Sequence, residues 1–205
     1  MRKHLSRRTV AAALVALPAC WTGVRAQPAP ARRATPAQTE GPFYPVALPA
    51  DTDADLLRNG RLQYTRGDPA WVEGTVTDLA GKPLAGAQVE IWQCDHAGHY
   101  HHPGDGGRAD PDFQGFGRVT VGSDGRYRFR TIRPVPYTGR APHIHVKVKM
   151  QRRELLTTQL YVEGDPGNPR DFLWRNLGAD RDLVTVAFRP GPEGVQASFP
   201  IVIAT

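Results

Sequence analysis

The strongest constraint on the fold is a series of short segments in which apolar and polar residues alternate, with turn-forming residues between them. Alternation with a period of two places one set of side chains on each face of a β-strand. The chain also contains 19 prolines and 21 glycines, which favours many short strands joined by turns. No segment of useful length shows helical periodicity, so the sequence predicts an all-β fold, an antiparallel β-sandwich of about eight or nine strands with long functional loops and little helix. The predicted strands are residues 71–76, 87–93, 117–121, 125–131, 143–150, 155–162, 183–188 and 196–203.

The basic charge of the chain is concentrated at its amino terminus. The formal net charge is +6, but the first 26 residues hold five of the 26 basic residues and none of the 20 acidic ones. The rest of the chain is close to neutral, which leaves no basic surface of the kind that nucleic-acid-binding domains use. We therefore expect one soluble domain that does not bind nucleic acid.

Residues 1–26 have the three parts of an export signal. Residues 1–8 are basic, residues 10–19 are apolar, and Ala26 is a small residue of the kind that precedes a signal-peptidase cleavage site. The apolar run has about half of the ~20 residues that a membrane-spanning helix needs. The sequence therefore predicts a removable signal peptide rather than a membrane anchor.

The arginine pair in this signal indicates the export route. Arg7 and Arg8 resemble a twin-arginine signal, which exports proteins that are already folded and predicts a periplasmic location. The alternative is lipidation at Cys20, which would attach the protein to a membrane. Residues 27–38 are rich in proline and alanine and are interpreted as a tether, and residues 39–205 as the folded domain.

A histidine pair is the first candidate site. His143 and His145 lie two residues apart in a predicted strand, so both imidazoles project from one face while Ile144 points to the other. Tyr137 and Arg140 precede them in a proline-rich turn that restricts the backbone. A pair of surface histidines is the alternative interpretation.

The second candidate site is the loop of residues 95–116, which is long enough to suggest a functional role. It begins with four histidines within seven residues, and neutral imidazole is the commonest protein ligand for transition metals. Solvent-exposed side chains without a metal are the alternative for each of them. The four histidines are His96, His99, His101 and His102.

In this order, the motifs of the chain resemble the intradiol ring-cleavage dioxygenases, the family of protocatechuate 3,4-dioxygenase and catechol 1,2-dioxygenase. The resemblance runs from Thr39 to about Pro166. Each motif is weak alone, but their order along the chain is specific. The motifs are TEGPFY (39–44), GAQVEIWQ (86–93), GHY (98–100), GFGR (115–118), DGRYRF (124–129), RPVPY (133–137), RAPHIH (140–145) and TQLY (158–161).

The resemblance implies a ferric ion held by two tyrosinates and two histidines. The matching positions in this chain are Tyr100, Tyr137, His143 and His145. The chemistry agrees, because phenolate is a hard anionic donor that suits Fe(III). A free tyrosine has a pKa near ~10, so binding as phenolate at neutral pH requires a strong Lewis acid.

The implied substrates are a catechol-type aromatic diol and O2. Both oxygen atoms would be inserted between the hydroxyl-bearing carbons to give a cis,cis-muconate-type dicarboxylate. The resemblance assigns catalytic roles to three residues. Tyr137 would accept a proton from the diol and leave the iron, Arg140 would stabilise negative charge on the ring, and Gln159 would orient neighbouring groups.

The sequence shows no counterpart of the helical amino-terminal domain of the catechol 1,2-dioxygenases. It therefore looks closer to a protocatechuate dioxygenase subunit, which implies a homo-oligomer or a partner chain. The residue before Tyr100 is also unusual, since His99 stands where the family commonly has arginine.

Two other functions fit parts of the sequence. Residues 72–78 and 81–87 also resemble transthyretin-like β-sandwich modules, which bind partners without a metal. The histidine-rich loop alone would fit a periplasmic protein that captures copper or zinc. Zinc sites use histidine, cysteine and carboxylate ligands rather than two tyrosinates.

Overall fold

The computed structural model describes residues 32–204 of the chain. The predicted signal peptide, including Arg7, Arg8 and Cys20, lies outside the described residues, as do residues 27–31 of the predicted tether. Within the described residues, no helix is both long and apolar enough to cross a membrane.

The described residues form a β-rich fold with one short α-helix, as the alternating pattern predicts. Each of the eight predicted segments contains a strand, and β1, β2 and β10 are additional. The strands are β1 (Arg58–Asn59), β2 (Leu62–Gln63), β3 (Pro69–Asp78), β4 (Gln88–Trp92), β5 (Phe116–Thr120), β6 (Arg126–Ile132), β7 (His143–Met150), β8 (Arg153–Val162), β9 (Thr185–Val186), β10 (Arg189–Gly191), β11 (Gly194–Ser198) and β12 (Ile201–Ile203). The helix α1 spans Phe172–Asn176, and short 3-10 helices span Pro103–Asp105, Asn168–Arg170 and Gly178–Leu183.

Two five-stranded sheets pack face to face. In the first sheet the order is β10-β11-β3-β12, and β6 pairs with the other edge of β3. In the second sheet the order is β5-β4-β7-β8-β9. Apolar side chains from both sheets, such as Val72 and Phe129 from the first and Ile91, Ile144 and Val146 from the second, form the core between them.

The sandwich is not purely antiparallel, which corrects the predicted fold in one respect. The pairs β11–β3, β12–β3 and β8–β9 are parallel. A parallel pair needs a crossover connection, and the segment between β8 and β9, which contains α1, provides one. Five helical residues are too few to show a periodic pattern, so the sequence did not predict α1.

The last predicted strand, residues 196–203, divides into β11 and β12 where it passes Gly74. A Cβ atom on Gly74 would lie 2.1 Å from the carbonyl oxygen of Phe199. Only a glycine therefore allows the chain between β11 and β12 to approach β3 this closely.

The predicted boundary between tether and domain at residue 39 is placed too late. Thr35 donates its backbone N–H to the carbonyl of Val202 (2.9 Å), and Gln38 donates its own to the carbonyl of Thr157 (2.8 Å). Residues 33–38 are therefore anchored to both sheets, at β12 and at β8. Composition alone could not reveal this, because a proline-rich extended segment has no alternating pattern whether or not it is packed.

Candidate metal centre

The histidine pair lies on the outer face of the second sheet. In β7, Ile144 points into the core, so His143 and His145 point away from it. Both are nevertheless buried, with 1% and 0% exposure, and their Nε2 atoms lie 3.2 Å apart. Burial lowers the pKa of His143 to about 4 and that of His145 well below its usual value, which keeps both rings in the neutral form that binds metals.

The two tyrosines complete the group from separate loops. The Tyr100 ring lies 5.3 Å from the Tyr137 ring and 5.9 Å from that of His145, and the Tyr137 ring lies 5.4 Å from that of His143. Burial raises the pKa of both phenols, most strongly that of Tyr100. The predicted quartet therefore comes together, although its members belong to three separate parts of the chain.

The residues fit a ferric ion. Tyr100 is 2% exposed, and its hydroxyl has no hydrogen-bond partner among the described residues. An unpaired buried hydroxyl is costly, and a cation bound by its oxygen would remove that cost. Within residues 32–204 no three His, Cys, Asp or Glu side chains come together as a metal site. A metal held here must therefore use the tyrosines, and phenolate oxygen with imidazole nitrogen suits Fe(III).

Arg140 lies beside this group, and its side chain makes four hydrogen bonds. Its Nη1 donates to the Tyr137 hydroxyl (3.4 Å), and its Nη2 donates to Gln159 Oε1 (2.6 Å) and to the Tyr161 hydroxyl (3.2 Å). Its Nε donates to Asp171 (2.8 Å). Burial alone would lower the pKa of Arg140, but the hydrogen bond to Asp171 and nearby charges outweigh it and raise the pKa. The guanidinium therefore stays charged.

Gln159 acts on Arg140 rather than directly on the quartet. It lies opposite His145 in the β7–β8 register and is fully buried. Its Oε1 accepts from Arg140 and Tyr161, and its Nε2 donates to the carbonyl of Thr39 (3.1 Å). The structure thus brings all six predicted site residues together.

Asp171 belongs to the same cluster but was missed by the sequence analysis. Its carboxylate accepts hydrogen bonds from Arg140 and from the backbone N–H groups of Ala141, Leu173 and Trp174. Burial would raise its pKa, but these hydrogen bonds and the Arg140 charge outweigh burial and lower it. An Asp before a short apolar run is an N-cap signal, but that signal does not reveal the contact with Arg140.

Residues 39–44, here called the strap, cover the quartet from outside. Phe43 stacks on Tyr100 with ring centroids 4.7 Å apart, and a Cβ on Gly41 would lie 3.4 Å from Cε1 of His145. On the sheet side, Trp92 stacks on His145 at 4.7 Å with the rings nearly parallel. The strap and Trp92 therefore shield the candidate ligands from water.

Charged residues hold the strap on the sheet. Glu40 pairs with Lys147, and the Tyr44 hydroxyl donates to Glu90 (2.9 Å), which also pairs with Lys149 (2.9 Å). The Glu90 side chain is 1% exposed, and these partners offset the free-energy cost of burying its carboxylate.

Replacing Glu90 by alanine is expected to lower the free energy of unfolding by about 1.5–3 kcal/mol, because the Lys149 ammonium and the Tyr44 hydroxyl would lose their shared buried acceptor. Glu73 is the matched control: its pair with Arg128 spans 3.3 Å, and both side chains are 49% exposed. Glu73→Ala should cost less than about 1 kcal/mol. Chemical denaturation measures both, and similar losses for the two variants would contradict a stabilising role for the buried pair.

The histidine-rich loop does not form a metal site. His101 Nε2 lies 2.5 Å from the carbonyl of Phe113, and His102 Nδ1 accepts from the backbone of Gly104 (2.9 Å). His99 Nδ1 lies 3.3 Å from Asp105, and His96 is exposed. The hydrogen bonds of His101 and His102 thus hold the loop in shape, and the copper or zinc interpretation has no support in the described residues.

Fold and site together define a β-sandwich protein with a candidate metal centre of two tyrosines and two histidines. A family model described as "Dioxygenase" matches residues 39–189. The chain belongs to the intradiol ring-cleavage dioxygenase family. No comparison supports the transthyretin-like alternative.

Curated relatives and a solved structure agree with this assignment. Hydroxyquinol 1,2-dioxygenase of Nocardioides simplex is 32% identical over 179 residues, which cover 78% of this chain and 57% of the relative. The protocatechuate 3,4-dioxygenase beta chain of Burkholderia cepacia is 37% identical over 136 residues, which cover 61% of this chain and 58% of the relative. The dioxygenase domain of a dioxygenase–carbohydrate-binding fusion from Streptomyces sp. SirexAA-E is 34% identical, with a TM-score of 0.68, and the match covers 84% of this chain and 99% of that domain. The chain thus spans less than three-fifths of the length of these two curated relatives.

Proposed function

We propose that this domain is an Fe(III)-dependent dioxygenase that opens a catechol-type aromatic diol between its two hydroxyl-bearing carbons. The observation that carries the proposal is the convergence of Tyr100, Tyr137, His143 and His145, with Arg140 bonded to the Tyr137 hydroxyl. Family membership and the names of the relatives support it.

Tyr100, Tyr137, His143 and His145 would hold the iron. When bound, a ferric ion supplies a Lewis acid that stabilises a diolate and draws electron density from the ring, which makes a ring carbon reactive towards O2. The protein supplies a buried and largely dry environment for this chemistry.

The diol would enter by the cleft that both Tyr137 and Arg140 line. This cleft has a volume of about 530 Å³, and Pro136, Pro142 and Asp171 also border it. A volume of this size accommodates a single substituted ring. Tyr137 is only partly buried here, whereas Tyr100 is closed off.

Tyr137 and Arg140 would perform the polar steps. As a phenolate, Tyr137 would accept the proton of one diol hydroxyl, and hydroxide from solvent would accept the proton of the other, so that the diol binds as a dianion. The Arg140 guanidinium, held by Asp171 and Gln159, stabilises the negative charge of that dianion. Gln159 keeps Arg140 in this orientation, since its amide is itself fixed by Thr39.

Product analysis tests the reaction. The purified protein is incubated with catechol, protocatechuate or hydroxyquinol under ¹⁸O2, and the products are identified by mass. The expected product keeps every ring carbon, gains both labelled oxygen atoms and carries two new carboxylates. A semialdehyde product would mean cleavage beside the diol and would overturn the proposal. Sedimentation of the same sample tests whether the protein forms a homo-oligomer or needs a partner chain.

We also propose that the protein is exported to the periplasm by the twin-arginine route. Arg7→Lys with Arg8→Lys is expected to trap the precursor in the cytoplasm, because the export receptor reads the arginine pair. The matched control is Arg2→Lys with Arg25→Lys, which also leaves the net charge unchanged but keeps the arginine pair. This variant should be exported normally. Cell fractionation measures both, and equal export would point to the general secretory route. The mass of the mature protein distinguishes cleavage after Ala26 from lipidation at Cys20.

A further inference from the structure

We propose that Asp171 is a positioning residue for the ring-opening reaction, acting through Arg140 and through the backbone that precedes His143. The inference rests on the proposed function. Asp171 has no exposed side-chain surface, lies between β8 and β9 in sequence, and is outside the candidate ligand set.

The two carboxylate oxygens of Asp171 have separate roles. Oδ1 accepts from the backbone N–H groups of Leu173 (3.0 Å) and Trp174 (3.2 Å) and so caps α1. Oδ2 accepts from Arg140 Nε (2.8 Å) and from the backbone N–H of Ala141 (2.9 Å). The first oxygen stabilises a helix end, and the second faces the candidate active site.

The bond to Nε determines which way the guanidinium points. Arg140 Nη2 is directed at Gln159 and Tyr161, and Nη1 is directed at the Tyr137 hydroxyl. The guanidinium is planar, so anchoring Nε and Nη2 leaves one place for Nη1. Asp171 therefore helps to keep the Arg140 charge at the oxygen that the proposed function makes a proton acceptor.

The bond to Ala141 reaches the histidine pair. The Ala141 carbonyl oxygen lies 2.6 Å from His143 Nδ1. Because a carbonyl oxygen can only accept, Nδ1 carries the proton and donates it to this hydrogen bond. This contact leaves Nε2 of His143 unprotonated and fixes the plane of the ring. Partners of this kind tune a metal ligand without touching the metal. One carboxylate oxygen thus supports both the arginine and a ligand-bearing strand.

The variant Asp171→Asn separates the two roles. An Asn side chain can keep the Oδ1 acceptor that caps α1, but it places an NH2 group opposite two donors, Arg140 Nε and Ala141 N–H. Arg175→Gly is the matched control: Arg175 is exposed on α1, and glycine there weakens the helix by about 1 kcal/mol without touching Arg140.

We expect Asp171→Asn to lower kcat for the diol by about 10²-fold, the scale of a small misplacement of an active-site group. The visible absorption of the resting iron protein should also shift, because the hydrogen bond to the Tyr137 oxygen changes. Arg175→Gly should retain the wild-type spectrum and kcat, even if it melts at a lower temperature.

A double-mutant cycle with Arg140→Ala decides the mechanism. If Asp171 acts through Arg140, Asp171→Asn should lower kcat much less in the Arg140→Ala background than in the wild type. Independent, multiplicative losses would overturn the action through Arg140. Equal spectra and kcat for Asp171→Asn and Arg175→Gly would overturn the positioning role as a whole, while wild-type turnover still supported the proposed function. If the wild-type protein opens no diol ring, the proposed function fails and this inference fails with it.

Discussion

Replacing Tyr137 by phenylalanine is expected to slow turnover of the diol by about 10²–10⁴-fold, the usual effect of losing a positioned acid–base group. The variant removes the oxygen that lies 3.4 Å from Arg140 Nη1. It keeps the ring that packs against Phe43, Tyr100 and His143. The fold and part of the iron content should therefore survive while the proton acceptor is lost.

Oxygen uptake and anaerobic spectroscopy measure this effect. Addition of the diol without oxygen should shift the charge-transfer band of the wild-type protein, and the subsequent addition of O2 should yield product. Tyr127→Phe is the matched control, since Tyr127 is buried in β6 and donates to the Phe199 carbonyl, far from the quartet in the fold. It should cost about 0.5–1.5 kcal/mol of stability and leave turnover unchanged. Wild-type turnover by Tyr137→Phe would show that this oxygen does not accept the proton.

Tyr100 provides a further comparison, because its position predicts a different role. Tyr100 is 2% exposed, packs against Phe43 and has no hydrogen-bond partner among the described residues, whereas Tyr137 is partly exposed and borders the cleft of about 530 Å³. We therefore expect Tyr100→Phe to lose more iron than Tyr137→Phe does. Metal analysis of the two variants separates the permanent ligand from the displaceable one.

The second large effect is expected at the histidine pair, where His145→Ala should leave the protein almost free of iron. Loss of a residue that only supports a metal ligand costs about 10–100-fold in affinity, and loss of a donor should exceed that. The substitution would also remove the ring on which Trp92 stacks. His143 would lose a close neighbour, because the Nε2 atoms of His143 and His145 lie 3.2 Å apart. His143→Ala is expected to behave in the same way.

Metal analysis with visible absorption tests the prediction. The wild-type protein should contain about one iron per chain and show the red-brown absorption of ferric tyrosinate. His96→Ala, in the exposed part of the histidine-rich loop, should keep both. Stoichiometric zinc or copper without iron in the wild-type protein would contradict the assignment of the metal.

The strands and the histidine pair follow from local properties of the sequence. The period of two in residues 143–150 is a property of neighbouring residues, so it predicts both the strand and the shared direction of His143 and His145. The order of the motifs predicted the two tyrosines of the quartet by resemblance to the family, without any knowledge of the chain path. It predicted Arg140 and Gln159 in the same way. Short elements such as α1 carry too few residues for a period, and they were missed.

The sequence by itself predicted the class of fold, the candidate donor set and the family, because these predictions depend on residue types and on their spacing along the chain. Tertiary structure alone decided which distant residues support the site: Asp171 lies 31 residues from Arg140, and Glu40 lies 107 residues from Lys147. It also decided that residues 33–38 pack on both sheets instead of forming a tether. The physical reason is that these contacts depend on the path of the chain in space. The strap and the segment between β8 and β9 each pack against the second sheet, and local periodicity carries no information about where they do so.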